Sequence, residues 1–325
     1  MTYHIIVNPA GASGNTIKLW NRTEPLFREL NTDYIVHFST PEDDIETICS
    51  RLTSRGEETH IVVVGGDGSM YYAVNGIKDF ARTKISLIPS GSGNDLARDL
   101  GYEKSTEAVV RRLLTSPEER LIDLGRITFH DQYSIVEQMT GRITDINKDE
   151  ELTRLYNISA GFGFDAGVCA EALGGGMKAA LNKMNMGKLL YLVEAVKLIR
   201  RSETHPVTME YMDGHTERYE KLLFAAGMNH SYEGGGFRFC ANADDQDGSL
   251  DLCIADSLSR KDICVQLPKA YSGKELIHPG IHIKRTQGVT ISCDEPLWVH
   301  TDGEVSCRSK RITLTVHDRK LRFVK

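Results

Sequence analysis

Three glycine-rich turns hold the residues of this chain best suited to binding a charged ligand. They are Asn8-Pro9-Ala10-Gly11-Ala12-Ser13-Gly14, Gly65-Gly66-Asp67-Gly68-Ser69 and Pro89-Ser90-Gly91-Ser92-Gly93-Asn94-Asp95. Glycine lets the backbone approach a polyphosphate closely, and the N-terminus of a following helix favours negative charge. No segment matches the lysine-containing P-loop pattern, so amides, Mg2+ and side chains elsewhere must neutralise the phosphates. Asp67 and Asp95 would repel bare phosphate but suit direct or water-mediated contact with Mg2+, a hard cation that prefers oxygen and keeps waters. A single turn of this kind also reads as an ordinary tight connection; three at one sheet edge argue for a ligand.

Two acidic segments lie further along. Ala243-Asp244-Asp245-Gln246-Asp247-Gly248-Ser249-Leu250-Asp251 alternates carboxylates around a turning glycine. It reads equally as a cation loop or as a solvated acidic turn. Thr301-Asp302-Gly303-Glu304 follows the strand-like Leu297–His300. A carboxylate there would serve as a general base if held near a substrate hydroxyl, although Asp-Gly is also a common hairpin turn.

The elements that position these residues change character near residue 125. Before it, the apolar runs His4–Val7, Tyr34–Phe38, Ile61–Val64 and Ile85–Ile88 alternate with stretches of helix length. Parallel strands buried on both faces look like this, and the alternation predicts a doubly wound α/β domain over 1–125. Asn15–Leu30 is expected to be a helix kinked or broken at Pro25, and a second helix is expected from Pro41, with Thr40 as its N-cap. After it, Tyr133–Gln138, Tyr156–Ser159, Val207–Tyr211, Leu222–Ala226, Leu250–Ile254, Val289–Ser292 and Ile312–Val316 are short and partly alternating. They predict a mainly antiparallel β-sandwich domain over 126–325, with Gly141–Thr153 as a polar hairpin tip or loop. The strand around Leu321–Val324 fits either domain. Met177–Arg201 reads as a helical insertion with an apolar and a basic face, either packed on the sandwich or suited to anionic headgroups.

Composition bounds the reading. The 325 residues carry 39 Lys and Arg against 45 Asp and Glu, a net charge of −6, so bulk electrostatics make no case for nucleic acid. No run is long enough to span a bilayer, and the N-terminus lacks the features of a signal peptide, which suggests a cytoplasmic protein. Seven scattered cysteines, an odd count without Cys-x-x-Cys, argue for reduced, mostly buried thiols.

Taken in order, the segments resemble the diacylglycerol kinase catalytic-domain family of lipid kinases, whose relatives include sphingosine and ceramide kinases. The likeness runs through Val7–Gly11, Gly65–Ser69, Val74-Asn75-Gly76, Pro89–Arg98, Ile122–Gly125, Asn157–Ala166, Gly234–Gly236, Asp247–Asp251 and Asp302–Glu304. It implies an active site in the cleft between the two domains. Asn8, Pro9, Ala10, Gly11, Ser13, Gly14, Thr40, Gly65, Gly66, Asp67, Gly68, Ser69, Met70, Tyr71 and Ser92 would contact ATP. Asp67, Asp95 and Asp123 would join a carboxylate–water–Mg2+ network, and Gln246, Asp247, Ser249 and Asp251 would hold a structural Mg2+. Asp302, with Glu304 beside it, would stand at the catalytic-base position.

Three positions depart from the family pattern. Ser69 stands where threonine is usual, Tyr71-Tyr72 where a pair containing glutamate is usual, and Gln246 where a first aspartate is common, which gives a poorer Mg2+ ligand. The implied reaction is transfer of the γ-phosphoryl group of ATP to a lipid hydroxyl, foremost diacylglycerol to give phosphatidic acid. The substrate would be met at a membrane surface by a transiently associated protein, and an exposed edge strand would permit a homodimer. Another lipid, phosphatidylglycerol or a sphingoid base, is the nearest alternative, and a non-catalytic nucleotide sensor the next. Phosphofructokinase and NAD kinase share the Gly-Gly-Asp-Gly turn, but the catalytic motif of phosphofructokinase is missing here.

Overall fold

The computed structural model describes residues 2–136, 142–174 and 203–325. The helix expected over Met177–Arg201 lies outside the described residues. The chain divides into two units, Met1–Leu124 joined by His317–Lys325, and Gly125–Val316.

The first unit is built on a six-stranded sheet. Strands β1 (Tyr3–Val7), β2 (Tyr34–Phe38), β3 (Thr59–Gly65) and β4 (Thr83–Pro89) run parallel in the order β2-β1-β3-β4. β3 is buried along its whole length, which its unbroken apolar run requires. Burial of one such Ile or Val side chain contributes about 1.5–3 kcal/mol. Helix α1 (Asn15–Glu29) packs Trp20, Leu26 and Phe27 against Val62, Val64 and Ile88.

Two local expectations are revised in this unit. Pro25 does not break α1; the carbonyl of exposed Asn21, one turn earlier, loses its amide donor to water rather than to the core. Helix α2 (Ile45–Thr53) starts at Asp44, not Thr40, because the Asp44 carboxylate accepts from Thr47 N at 2.7 Å. Thr40 Oγ1 instead accepts from Asp43 N in the preceding turn, at 3.1 Å. Helices α3 (Asp67–Gly76), α4 (Asp95–Asp99) and α5 (Thr106–Thr115) complete the crossovers, and β5 (Glu119–Ile122) ends the first pass.

The second unit holds an eleven-stranded antiparallel assembly. Its strands are β6 (Gly125–Phe129), β7 (Gln132–Val136), β8 (Ile143–Lys148), β9 (Leu152–Tyr156), β10 (Ser159–Gly163), β11 (His205–Tyr211), β12 (Thr216–Met228), β15 (Leu250–Asp256), β16 (Ile281–Thr286), β17 (Gly288–Thr301) and β18 (Glu304–Val316). β13 (Tyr232–Glu233) and β14 (Phe237–Arg238) form a separate hairpin. Helix α6 (Phe164–Gly174) follows β10, and α7 (Arg260–Tyr271) follows β15.

Strands β12, β17 and β18 are long, and β12 and β17 shift register partway, at Leu222/Phe224, Ser292/Leu297 and Val299/His300. Such bulges bend a strand so that it serves more than one run of partners. Ile127, Phe129, Phe162, Val207, Ile291 and Leu314 are among the buried residues between them. Within 141–153, expected as a hairpin tip or loop, residues 143–148 form strand β8, antiparallel to β7, with Ser134 opposite Asp145. Tyr156–Ser159, expected as one strand, is the junction between β9 and β10. Beyond the second unit, β19 (Leu321–Val324) returns to the first sheet, parallel to β4 and antiparallel to β5.

Candidate active site

In the first unit the three glycine turns meet at the carboxyl ends of β1, β3 and β4. Ser90 N donates to Gly65 O at 2.8 Å, and the Thr16 and Ser90 hydroxyls bond at 2.8 Å. A Cβ on Gly66 would stand 3.0 Å from Gly91 Cα, and one on Gly91 would stand 2.8 Å from Gly66 Cα. The second and third turns therefore touch backbone to backbone, which only glycine allows. Ser69 lies over Gly65, whose Cβ would fall 2.4 Å from the Ser69 Oγ. Asn8 Oδ1 accepts from Ala10 N at 3.1 Å, and Gly14, with φ +82°, caps α1. Pro9 and Ser13 belong to this same first turn. Ser39 N donates to Val7 O, which sets the exit of β2 and Thr40 beside it.

The acids of this unit are held by internal partners. Asp67 opens α3, and its carboxylate accepts from Asp95 N at 3.0 Å and from Leu96 N at 3.3 Å, tying α4 to the second turn. Asp95 is ion-paired with Arg98, which also donates to Gly93 O at 3.1 Å. Asp123 lies at the end of β5, against Lys320 Nζ at 2.8 Å. Among the described residues these three carboxylates do not converge at direct-ligand range. Met70 and Tyr71 are buried, while Ser92 is exposed. The backbone cradle fits a polyphosphate, and Asp67 and Asp95 each belong to one of its turns. We expect Gly91→Ala to weaken nucleotide binding about tenfold, an effect of about 1.4 kcal/mol read by titration; unchanged affinity would remove the paired turns from that role.

In the second unit Asp302 and Gly303 form the two-residue turn between β17 and β18, with φ of +51° and +81°. Both angles are left-handed, as a tight hairpin of the I′ kind requires. The Asp302 carboxylate points inward. Oδ1 accepts from Ile158 N at 2.7 Å and Ser159 N at 3.1 Å; Oδ2 accepts from Asn157 N at 2.8 Å and Asn157 Nδ2 at 3.0 Å. All four of its lone-pair positions are thus engaged. Burial pushes its carboxyl above the usual range, against the pull of these donors. Glu304 faces Thr301 across the turn.

Three residues that spacing does not single out lie next to this turn. His300 Nε2 stands 3.2 Å from Asp165 Oδ2 and 3.1 Å from Glu233 Oε1, and His300 is wholly buried. Burial disfavours a charged ring, yet the two carboxylates outweigh it and raise the His300 pKa well above its ordinary value. Burial also raises Asp165. Gly303 N lies 3.3 Å from His300 Nδ1, at the edge of the ring away from the two acids. The cluster brings one ring nitrogen and two carboxylate oxygens within 4.8 Å of one another. Gly161 makes room for it: a Cβ there would fall 1.9 Å from Asp165 Oδ2 and 2.4 Å from His300 Nε2. Gly161→Ala should cost about 1–3 kcal/mol by overpacking, measured by urea unfolding; a neutral result would mean the cluster is loosely held. Asp165, Glu233 and His300 come from α6, β13 and β17, which explains why no local pattern reveals them.

Further buried polar atoms near the turn have no partner among the described residues: Tyr156 OH, Asn157 Oδ1, Ser159 Oγ, Thr301 Oγ1 and Glu233 Oε2. The acidic segment with Gln246, Asp247, Ser249 and Asp251 lies elsewhere in this unit, before and at the start of β15, and faces Arg285 of β16.

A profile of the diacylglycerol kinase catalytic domain matches residues 2–127, and a profile of the YegS C-terminal NAD kinase beta sandwich-like domain matches residues 162–323. The diacylglycerol kinase of Mycobacterium tuberculosis (strain H37Rv) is 24% identical over 306 residues, covering 93% of this chain and 88% of the relative. That of Bacillus subtilis (strain 168) is 24% identical over 273 residues, covering 80% and 79%. A diacylglycerol kinase structure from Bacillus anthracis str. Sterne superimposes with a TM-score of 0.68 at 18% identity, over 99% of this chain and 96% of the other, a likeness of fold.

Proposed function

The chain belongs to the diacylglycerol kinase-like family of lipid kinases, and from that premise we propose that it transfers the γ-phosphoryl group of ATP to the hydroxyl of diacylglycerol at a membrane surface. The observation that carries the nucleotide half of this reading is the backbone contact between Gly66 and Gly91. It leaves an amide-lined cradle at the ends of β1, β3 and β4, where a triphosphate tail is bound without a P-loop lysine. Asn8–Gly14, Thr40, Gly65–Tyr71 and Ser92 line the nucleotide side of this reading. Bound Mg2+ would neutralise charge on the transferring group; Asp67, Asp95 and Asp123 would meet it through water.

On the second unit, Asp302 accepts the lipid hydroxyl proton as the new O–P bond forms and the bond from γ-phosphorus to the ADP oxygen breaks. Burial makes it a stronger proton acceptor than an ordinary aspartate. Of its four donors only Asn157 Nδ2 belongs to a side chain, so that bond is the one able to yield to a substrate hydroxyl. The unpartnered atoms of Ser159, Thr301 and Glu233 offer further contacts to a polar headgroup. Labelled ATP offered with vesicles of diacylglycerol, phosphatidylglycerol or sphingosine tests the reading. Label in phosphatidic acid alone is expected; label in another lipid would change the substrate, and label in none would refute the transfer.

A further inference from the structure

We infer that the side chain of Arg285 is the resident cation of the Asp244–Asp251 loop, in place of a divalent metal. Register on β15 and β16 sets Arg285 directly opposite Asp251. The guanidinium lies 2.9 Å from Asp247 Oδ2 through Nη1 and 3.4 Å from Asp251 Oδ2 through Nη2, and Nη2 donates to Asn242 O at 3.0 Å. Asp247 Oδ1 accepts from Ser249 N at 2.9 Å, so both oxygens of the central carboxylate are engaged. Asp244 Oδ1 accepts from Gln246 N at 3.0 Å, which turns this acid back onto its own loop.

Mg2+ asks for about six oxygens at ~2.1 Å in octahedral array. Here two of the loop's four carboxylates, Asp247 and Asp251, are bridged by one planar fork. Gln246 adds a neutral amide where another acid would favour a dication. Asp251 is the buried member, with an 8% exposed side chain, and burial pushes its carboxyl up while Arg285 pulls it down. Without the guanidinium that charge would be left nearly dry. The inference rests on contacts inside the second unit and is independent of the kinase reading.

Thermal unfolding of the full-length, nucleotide-free protein tests it, in EDTA and in millimolar Mg2+ at matched ionic strength. The wild-type midpoint should not respond to Mg2+. Arg285→Gln should lower the midpoint by about 2–4 °C, as a small local loss does in a protein of this size. Mg2+ should restore it, and adding Asp247→Asn should abolish the restoration. Arg285→Lys, which keeps the charge but not the fork, should fall between wild type and Arg285→Gln, and serves in its place if that variant does not fold. A wild-type midpoint that rises in Mg2+ and loses this rise in Asp247→Asn would overturn the inference, because the loop would then hold the metal. A midpoint unmoved by Arg285→Gln in either buffer would overturn it as well.

Discussion

Asp302→Asn should abolish turnover and also destabilise the second unit. The kinetic part follows from the proposed role: losing a general base costs about 10²–10⁴ in rate. The stability part follows from the four donors aimed at this carboxylate. An asparagine replaces one acceptor oxygen with an NH2 group, so two buried donors face a donor. Each unsatisfied buried group costs about 1–3 kcal/mol, which for two of them predicts a loss of roughly 2–6 kcal/mol in urea unfolding. Asn157→Ala separates the two effects. It removes one side-chain donor and should leave kcat within about tenfold of wild type, since the acceptor stays in place. If Asp302→Asn keeps near-normal kcat, the proton goes elsewhere; if it loses kcat with unchanged stability, the inward bonds are weaker than their lengths imply.

His300→Leu is expected to have the next largest effect. It leaves Asp165 and Glu233 buried without the Nε2 proton between them. Breaking a buried pair by removing one partner costs about 3–5 kcal/mol. The cost depends on pH. The folded-state pKa of Asp165 is already raised by burial, and removing His300 removes a group that lowers it. A carboxyl raised in this way binds more protons folded than unfolded, so its stability contribution is full below the unfolded value of about 4 and falls as pH rises. His300 in the wild type is raised too, and its own contribution stays intact up to an ordinary histidine value of about 6.5. The gap between wild type and His300→Leu should therefore widen once pH rises past the folded-state value of Asp165 in the wild type, and go on widening to about pH 6.5. A gap that is constant over that range would show that the two acids are not sharing a proton with His300.

Apolar patterning revealed most of the first unit. Four short runs rich in Ile and Val marked parallel strands because such strands are covered on both faces, and glycine after three of them marked the turns. Local chemistry misled where a weak rule met a stronger one. Thr40 is a good capping residue, but Asp44 sits four positions on with a free carboxylate and takes the cap. Pro25 favours a kink or a break, yet α1 continues through it as one helix that buries Trp20 and Phe27. In the second unit the short strands were legible but their ends were not, because bulges in β12 and β17 depend on partners far along the chain.

Residue order alone determined which turns can accept phosphate and which carboxylates stand at positions of chemical interest, because glycine and aspartate have local conformational and ionic properties that need no partner. Only the tertiary structure decided what those carboxylates face. Asp302 turns inward onto three consecutive residues of another strand junction, Asp247 and Asp251 meet Arg285, and Asp165 and Glu233 meet His300. Each of these pairings joins segments distant in sequence, and an acid's strength and its availability to a substrate are set by burial and by its neighbours, which a linear pattern does not contain.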